Sequence, residues 1–318
     1  MKSPDQFDSI VVGGGPAGST AAALLAEKGR KVLVLEKETF PRYHVGESLM
    51  PFCYHTLDRL GVVDQMDTHA FTKKYSVLFV TQDGQKSRPF YFFQHYDHPS
   101  STTWQVNRDE FDQLLLNKAE DNGATVRTGI RVKQLLEEEN NRVVGVVAED
   151  EEGKEWRYEA PITIDATGRD ALVLSKRQWR VRDQKLNKIA LWTYYKGGVR
   201  DPGLDAGSTT VAYLPEKGWF WFIPMKNDII SLGVVGERDY LYRNSRDPAE
   251  IMNGEVLNNV WIQEHLKGAE QFGRYWVTGE YSYRGQYCAG DGVVMVGDAF
   301  AFLDPVFSSG VFLALKSG

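Results

Sequence analysis

Short runs of mostly apolar residues recur along the chain at residues 7–12, 31–35, 162–164 and 293–296. Runs of this length with few polar interruptions are typical of strands buried on both faces of a parallel sheet. A stretch of small residues, 19–28, lies between the first two runs and predicts a helix. The order of strand, helix and strand predicts an α/β fold built around a parallel sheet.

A second pattern, alternation of apolar and polar residues, begins near residue 171 and continues to about residue 275. It is clearest at residues 189–195, 209–214, 219–223 and 229–235. Such alternation between polar turns predicts an antiparallel sheet. On the third of these strands, Trp219 and Trp221 share one face while Phe220 and Phe222 share the other. The two tryptophans are therefore either sheet core, which the physical argument favours, or rigid walls of a tunnel.

The remaining patterns complete a two-domain outline. Helices are predicted at residues 50–60, 110–119, 248–272 and from about 311, a strand at 71–80, and strands of a small sheet layer at 123–128, 132–136 and 142–149. The apolar run at 293–296 returns the chain to the parallel sheet. We therefore expect a discontinuous, three-layer Rossmann-like domain at residues 1–74, 103–172 and 276–318, with an inserted antiparallel-sheet substrate domain at 75–102 and 173–275.

Composition narrows the class of partner. A net charge of −6 over 318 residues gives no global electrostatic reason to bind nucleic acid or an anionic membrane. No apolar run is long enough to be an integral membrane segment. Cys53 and Cys288 have no metal-ligand spacing, so no metal site is expected, and a reducing, cytoplasmic setting is the simplest account of them.

The first helix follows a dinucleotide-binding fingerprint. The order is a strand, then the G-x-G-x-x-G of Gly13, Gly15 and Gly18, then the helix and a second strand that ends at Glu36. Gly13 makes the turn, Gly15 allows backbone to approach a pyrophosphate, and Gly18 allows close helix packing. Glu36 can accept hydrogen bonds from a ribose. The other expected contacts of this loop are Pro16, Ala17 and Ser19.

The segment after Glu36 favours FAD over NAD. Residues 37–49 form a long polar excursion where a simple dehydrogenase would enter its next strand and helix unit. It suits a large flavin that reaches beyond the first nucleotide unit, and the chain has no second fingerprint for NAD(P)H. Candidate cofactor contacts in this excursion are Lys37, Arg42, Gly46, Glu47 and Ser48.

Two further basic positions have open alternatives. Arg108 precedes a predicted helix and either reaches flavin phosphate or ring, or is an exposed arginine paired with Glu110 or Asp112. Lys73 and Lys74 lie on one predicted strand and therefore point to opposite faces. One of them is expected to be solvated while the other faces the cleft, although both could be surface residues.

The stretch GDAFAFLDPVFSSG at residues 297–310 follows the last apolar run. Its Asp298 stands at the carboxyl end of a strand, where α/β sheets usually present ligand contacts. The backbone N–H groups of Ser309 and Gly310 start a helix and form a candidate anion site. Pro305 and Ser308 are further candidates in the same loop.

Four motifs make the chain similar to the flavin-dependent halogenases, within the FAD hydroxylases and geranylgeranyl-reductase-like flavoproteins. They are GGGPAGS at 13–19, FPRYHVGESLMP at 40–51, WFWFIP at 219–224 and FLDPVFSSG at 302–310. WFWFIP and the last motif are the more specific ones. The resemblance covers nearly the whole chain and implies a para-hydroxybenzoate-hydroxylase-like fold.

The resemblance also implies a mechanism. In that family FADH2 and O2 convert chloride or bromide to hypohalous acid, which passes through a tunnel to a lysine and halogenates an electron-rich ring. Lys74 has the family spacing, five residues before Phe79, and Lys73 does not. The resemblance makes Trp219 and Trp221 tunnel walls, places halide at Ser309 and Gly310, and lets Ser308 orient the electrophile. A separate NAD(P)H-dependent flavin reductase would supply FADH2.

One departure concerns the substrate. Tryptophan halogenases carry a glutamate just before the serine of the S-x-G stretch, where this chain has Phe307. The resemblance therefore favours phenols or pyrroles, free or tethered to an acyl or peptidyl carrier protein. Family members continue beyond this point, so we expect a natural C-terminal region to be missing. The alternatives are an FAD-dependent aromatic monooxygenase, a geranylgeranyl-reductase-type reductase, or a non-catalytic flavoprotein.

Overall fold

The computed structural model describes residues 6–183, 185–216, 218–279 and 282–318. Its strands are β1 Ser9–Val12, β2 Val32–Leu35, β3 Thr72–Lys74, β4 Ser76–Val80, β5 Phe90–Tyr91, β6 Thr103–Gln105, β7 Thr125–Arg127, β8 Ile130–Glu137, β9 Val143–Asp150, β10 Glu155–Glu159, β11 Ile162–Asp165, β12 Arg180–Arg182, β13 Lys188–Lys196, β14 Thr209–Tyr213, β15 Trp219–Met225, β16 Ile229–Glu237, β17 Glu270–Thr278, β18 Tyr283–Gly285, β19 Ala289–Gly290, β20 Val293–Met295 and β21 Ala301–Phe302. Its α-helices are α1 Pro16–Glu27, α2 Cys53–Leu60, α3 Val63–Thr68, α4 Arg108–Asp121, α5 Leu172–Lys176, α6 Arg238–Leu241, α7 Pro248–Val256, α8 Val260–His265 and α9 Gly310–Ser317.

The predicted α/β fold class is confirmed, beginning with a six-stranded sheet in the order β19-β20-β11-β1-β2-β7. All of its pairs are parallel except that of β19 with β20. Alternate side chains of β1 enter two cores, because successive residues of a strand point to opposite faces. Val11 joins a core with Phe111 of α4, whereas Ile10 and Val12 join a core with Val146 of β9.

The second large unit is a seven-stranded sheet in the order β17-β13-β16-β15-β14-β4-β5. Its β15 is buried along its whole length. Phe220 and Phe222 share a core with Trp261 of α8, while Trp219 and Trp221 belong to a separate cluster on the other face. The prediction that this strand is buried on both sides is therefore confirmed.

One predicted strand, residues 71–80, is in fact two strands in different sheets. β3 pairs with β6, whereas β4 lies between β14 and β5 in the large sheet. Tyr75 separates them. No glycine or proline interrupts residues 71–80, so the sequence pattern did not reveal the change of sheet.

The helix predicted at residues 248–272 is also wrong, because the structure has α7, α8 and then β17. The side chain of Asn259 accepts a hydrogen bond from the Ile262 N–H and thereby caps a new helix. Gly268 then adopts a left-handed φ of +80°, after which the chain becomes extended. The apolar residues of this segment suggested one continuous helix, so the cap at Asn259 and the turn at Gly268 were not predicted.

The small sheet layer was only partly predicted. β8, β9 and β10 form a separate three-stranded sheet, but β7 extends the parallel sheet beside β2. The proposed domain boundaries stay a prediction, and residues 1–5, 184, 217, 280 and 281 of those segments lie outside the described residues. None of the helices in the described ranges has the length and apolar character needed to cross a bilayer.

Candidate active site

A cavity of about 680 Å³ lies between the glycine loop after β1 and one face of the seven-stranded sheet. It is lined by residues from the loop after β2, from the turn after β11 and from the 297–310 segment. This volume is within the range of small-molecule and cofactor sites. The cavity therefore collects most of the predicted site residues in one place.

The glycine loop is built by close backbone contacts. Gly13 has a φ of +109°, and a Cβ there would lie 2.3 Å from the carbonyl oxygen of Ala166. A Cβ at Gly18 would lie 1.9 Å from the Gly13 carbonyl oxygen. Gly18 and Ser19 thus hold the loop from behind, the latter by donating from Oγ to the Gly14 carbonyl oxygen at 2.8 Å. Both glycine roles match the prediction.

The start of α1 faces this cavity. Gly13, Gly15, Pro16 and Ala17 line it, and Gly15 caps the helix without any side-chain hydrogen bond. The first N–H groups of a helix have no intrahelical partner, so they can bind an anion. A Cβ at Gly15 would approach Nη2 of Arg42 at 3.5 Å, which brings a cation to the same place.

Glu36 is buried at the end of β2 and lines the cavity. Its Oε2 accepts a hydrogen bond from the Gly14 N–H at 2.7 Å, and its Oε1 accepts one from the Glu38 N–H at 2.9 Å. These bonds hold the carboxylate in one orientation. Lys37, beside it at the cavity edge, forms an ion pair with Asp170.

A buried charge cluster borders the cavity. Arg108 donates from Nε and Nη2 to the two carboxylate oxygens of Asp112 at 2.8 and 3.0 Å, and from Nη1 to the Val45 carbonyl oxygen at 2.7 Å. Burial alone would raise the pKa of Asp112, but Arg108 lowers it below its ordinary value. The alternative reading of Arg108 named the right partner, but the arginine is only 6% exposed.

Arg42 shares this carboxylate. Its Nη1 lies 3.2 Å from Asp112 and its Nε lies 3.3 Å from Glu38. In the part of the chain that the structure describes, these two buried nitrogens make ion pairs but no well-aligned hydrogen bond. Asp112 is thus shared by two buried guanidinium groups, and the other carboxylate beside Arg42, that of Glu38, is half exposed, so Arg42 can still attract an anionic ligand.

The excursion at 40–51 forms a further part of the cavity lining. Gly46 has a φ of +105° and lines the cavity with Glu47 and Ser48. Glu47 is buried, and its Oε1 accepts a hydrogen bond from the Tyr194 hydroxyl at 2.7 Å. Burial raises the pKa of Glu47 above its ordinary value, an effect that this hydrogen bond partly opposes.

The two lysines of β3 differ sharply. Lys73 is exposed and paired with Asp67, whereas Lys74 is only 2% exposed. Nζ of Lys74 donates to Ser48 Oγ at 2.9 Å and to the Leu49 carbonyl oxygen at 3.3 Å. Burial lowers the pKa of Lys74 to about 7. Lys74 does not itself line the cavity in the described part of the chain, because Ser48 and Thr209 do so in front of it.

An aromatic wall faces the cavity from the seven-stranded sheet. Trp192, Trp219 and Trp221 line it, and Trp221 donates from Nε1 to Ser231 Oγ at 3.1 Å. Gly233 pairs across the strands with both Trp192 and Trp221, and a Cβ there would lie 2.1 Å from the Trp221 ring. The glycine thus makes the space that the indole occupies. Trp219 and Trp221 are buried and also line the cavity, and their role as walls of a tunnel stays a prediction.

The 297–310 segment forms the remaining side. Asp298, Pro305, Ser308 and Gly310 line the cavity, while Ser309 stands just outside the lining as the cap of α9. Burial raises the pKa of Asp298 to about 6, although Arg169 and Arg108 oppose this rise. Ser308 adopts a left-handed φ of +55°.

Sequence reasoning missed three contributors. Arg169 lines the cavity and follows the glycine turn after β11, a signal that could have been used. Asp112 was considered only as a surface partner, and Thr209 was not singled out. Thr209 meets Ser48 of a distant segment, and Asp112 meets Arg42 of the loop after β2, and no local pattern reveals either contact.

The residues present fit FAD. The uncapped N-terminus of α1 and the partly satisfied guanidinium of Arg42 suit a pyrophosphate, and the fixed carboxylate of Glu36 suits ribose hydroxyls. The tryptophan wall offers flat apolar surface farther along the same cavity. Among the described residues, no group of three or more His, Cys, Asp or Glu side chains could hold a metal ion.

Comparison with known proteins agrees with this geometry. A family model for the FAD binding domain matches residues 6–316. A flavin-dependent halogenase of Armillaria mellea is 35% identical over 99% of this chain and 66% of its own length. The brominase of 1H-pyrrole-2-carbonyl peptidyl-carrier protein from Pseudoalteromonas luteoviolacea is 32% identical over 98% of this chain and 75% of its own length. The tryptophan 2-halogenase of Chondromyces crocatus is 34% identical over the whole chain and 60% of its own length.

The solved structure of the myxobacterial chondrochloren halogenase superimposes with a TM-score of 0.90 at 34% identity, covering 98% of this chain and 72% of that one. The chain belongs to the FAD-binding domain family and, within it, to the flavin-dependent halogenases. The predicted family, fold class and FAD cofactor are therefore confirmed. The chain spans about two thirds of the length of the curated relatives it matches, from 60% to 75% for the three named here.

Proposed function

We propose that the protein binds FAD in the main cavity and, supplied as FADH2 with O2, uses chloride or bromide to halogenate an electron-rich aromatic ring. The observation that carries this proposal is a fully buried lysine, Lys74, held directly behind the wall of a tryptophan-lined flavin cavity. Burying an ammonium group is costly, so a position like this suggests a functional role. Membership of the halogenase family supports the reaction class.

The cofactor contacts follow from the geometry of the first wall. The loop of Gly13, Gly15 and Gly18 and the N–H groups near Pro16 and Ala17 would receive the pyrophosphate, and Ser19 supports them. Glu36 would bind the ribose. The outer contacts would come from Lys37, Arg42, Gly46, Glu47, Ser48, Arg108, Asp298 and Pro305. Bound FADH2, with O2, would supply the oxidising power that turns halide into hypohalous acid.

The halide would bind at the start of α9. The backbone N–H groups of Ser309 and Gly310 lie in the first turn of this helix, where no intrahelical carbonyl can accept from them. The helix dipole adds to their attraction for an anion. Ser308 lines the cavity next to them and would orient the electrophile.

Lys74 would polarise the electrophile from behind the cavity wall. A pKa of about 7 keeps the ammonium and the neutral amine comparably populated near neutral pH. Trp219 and Trp221 would exclude water and keep the ring substrate apart from the flavin. This separation would favour halogenation over direct hydroxylation.

The substrate class is a phenol or a pyrrole, free or tethered to a carrier protein. Phe307 stands where tryptophan halogenases have glutamate, and one relative acts on a pyrrole held by a peptidyl carrier. A separate NAD(P)H flavin reductase would deliver FADH2, since the chain carries one nucleotide fingerprint. Cytoplasmic placement stays a prediction.

The proposal is tested with chemically reduced FAD, O2 and bromide against a panel of phenols, pyrroles, carrier-bound pyrroles and free tryptophan. Mass spectrometry would detect the bromine isotope pattern in the product. Lys74→Met should abolish product while Lys73→Met, a change to the exposed neighbour, should not. Halogenation of no member of the panel, or full activity of Lys74→Met, would contradict the proposal.

A further inference from the structure

Lys74 reaches the cavity only through other side chains. Its Nζ is enclosed and donates to Ser48 Oγ at 2.9 Å and to the Leu49 carbonyl oxygen at 3.3 Å. Of these two acceptors, only Ser48 lines the cavity. Any proton that leaves Lys74 for the cavity along these contacts must therefore pass through the Ser48 hydroxyl.

A second hydroxyl continues this path. Ser48 Oγ lies 2.8 Å from Thr209 Oγ1, and either hydroxyl can donate. Gln105 donates from Nε2 to Thr209 Oγ1 and to the Gly207 carbonyl oxygen, both at 2.9 Å. Because a carbonyl oxygen can only accept, the Gly207 contact fixes the amide orientation of Gln105. Thr209 is thus an acceptor toward Gln105.

Counting hydrogens gives the chain a direction. When Lys74 is charged, Ser48 Oγ accepts a hydrogen bond from the Lys74 ammonium group and can donate its own hydroxyl hydrogen to Thr209. Thr209 then accepts two hydrogen bonds, so its own hydrogen is free to point elsewhere. Thr209 lines the cavity beside apolar Val211 on the same face of β14. Thr209 is thus a polar donor on the cavity face of β14.

We propose that Ser48 and Thr209 form a proton relay between Lys74 and the cavity, with Thr209 donating to an oxygen atom of a ligand bound there. A proton passes from Nζ to Ser48 Oγ, the Ser48 hydrogen passes to Thr209 Oγ1, and the Thr209 hydrogen passes to the ligand oxygen. No electron moves, and Lys74 becomes a neutral amine. The reverse sequence recharges it.

The role of the relay in halogenation rests on the proposed function. There the halogen–oxygen bond of hypohalous acid breaks as the ring carbon–halogen bond forms, and the released hydroxide accepts the proton to give water. The halogenated ring carbon then loses its hydrogen as a proton, and the reverse sequence returns a proton to Lys74. Lys74 is suited to give up a proton because burial lowers its pKa to about 7. Cys53, the titratable group that interacts with it, stays a neutral thiol because burial raises its pKa to about 12.

The relay can be tested without the reaction. In ¹⁵N-lysine-labelled protein at about pH 6, below the pKa of Lys74, its ammonium signal is assigned by its loss in Lys74→Met. Thr209→Val keeps the shape of the side chain but removes the hydroxyl, so exchange of the Lys74 protons with water should slow by roughly tenfold. Thr209→Ser should restore it. If proton exchange with water is fast enough to make the Lys74 ammonium signal undetectable in the wild type, the slower exchange in Thr209→Val should make that signal visible.

Thr210→Val is the matched control, because Thr210 is equally buried on the opposite face of β14. It should leave exchange unchanged. FAD binding of each variant, followed by flavin fluorescence, checks that the cavity is intact. Unchanged exchange in Thr209→Val, or failure of Thr209→Ser to restore it, would overturn the relay.

Turnover separates this inference from the proposed function. Thr209→Val should lower turnover roughly 100-fold, the scale of a lost proton transfer, and Thr209→Ser should stay close to wild type. If wild-type protein halogenates and Thr209→Val matches it, the relay has no catalytic role. If wild-type protein halogenates nothing, the proposed function fails while proton exchange still decides the relay.

Discussion

The two walls of the main cavity are built from different chemistry. The wall that belongs to the parallel sheet carries charge and free backbone N–H groups, with Glu36, Arg42 and Asp298 as examples. The opposite wall, from the seven-stranded sheet, whose strands pair antiparallel except β14 with β4, is dominated by Trp192 and Trp221. The first wall can hold an anionic cofactor, and the second can exclude water from whatever happens beside it.

The two walls are stabilised by different kinds of interaction. The charged wall depends on backbone contacts and on one carboxylate, Asp112, shared by two guanidinium groups. The aromatic wall is stabilised by the packing of large side chains. Its apolar surface is interrupted by the hydroxyl of Thr209, which is connected by hydrogen bonds through Ser48 to Lys74. Substitutions in the first wall should therefore affect cofactor binding and stability together, and those in the second should affect stability modestly and cofactor binding hardly at all.

The largest effect is expected at Gly13. Gly13→Ala would place Cβ 2.3 Å from a backbone oxygen at a left-handed φ, so it should lower the free energy of unfolding by about 3–4 kcal/mol and abolish FAD binding. Urea unfolding and flavin fluorescence measure both. Gly29→Ala is the control, because Gly29 has a φ of +75° with open space around it and should lose only about 1 kcal/mol. Equal losses at the two glycines would refute the close-contact argument.

The next effect concerns the shared carboxylate. Asp112→Asn leaves buried Arg108 without its paired carboxylate and leaves Arg42 only the half-exposed Glu38, so the free energy of unfolding should fall by about 3 kcal/mol. Asp109 lies three residues earlier in the same helix and is partly exposed. Asp109→Asn should therefore change the free energy of unfolding by less than about 0.5 kcal/mol. FAD should recover part of the loss at position 112, since its phosphates bring negative charge. A loss that FAD does not reduce would argue against phosphate binding at this cluster.

A smaller effect on the free energy of unfolding, one that depends on pH, is expected at Lys74. The pKa of Lys74 falls from 10.5 to about 7 on folding, so between these values the unfolded chain binds more protons than the folded one. Stability contributed by this group therefore rises with pH, by about 1.4 kcal/mol per unit at most. From pH 7 to about 10, the free energy of unfolding should rise more steeply with pH for the wild type than for Lys74→Met. Parallel curves would mean that Lys74 has an ordinary pKa.

The smallest effect is expected in the aromatic wall. Trp221→Phe removes ring volume and the hydrogen bond to Ser231, and should cost about 1–2 kcal/mol. FAD affinity should stay within about twofold, because this wall holds no phosphate. Under turnover, the variant should release more H2O2 per halogenated product as water enters. A large loss of FAD affinity would show that the two walls are not separate in function.

The sequence predicted what depends on neighbouring residues. The glycine loop and Glu36 could be located because strand, turn and helix follow each other within one segment. The choice of Lys74 over Lys73 came from family spacing, and the structure agrees that only Lys74 is buried. The pairing of Arg108 with Asp112 was an available alternative, but its burial was not foreseen.

What could not be predicted depends on segments that meet only in the folded chain. Ser48, Gln105 and Thr209 come from three separate segments, and their hydroxyl and amide groups touch only because the excursion at 40–51, β6 and β14 converge. The change of sheet at Tyr75 is of the same kind, since no glycine or proline marks it within residues 71–80. Local pattern specifies elements, whereas contacts between them require the tertiary arrangement.

Gly233 shows that the cavity can be reshaped from a position outside its lining. Its missing side chain leaves room for the Trp221 ring, and its cross-strand partner on the other side is Trp192. A single added methyl group there would push the indole toward the cavity. Mutagenesis libraries confined to the visible pocket would overlook this position, although it offers laboratory evolution a direct way to change which rings the cavity admits.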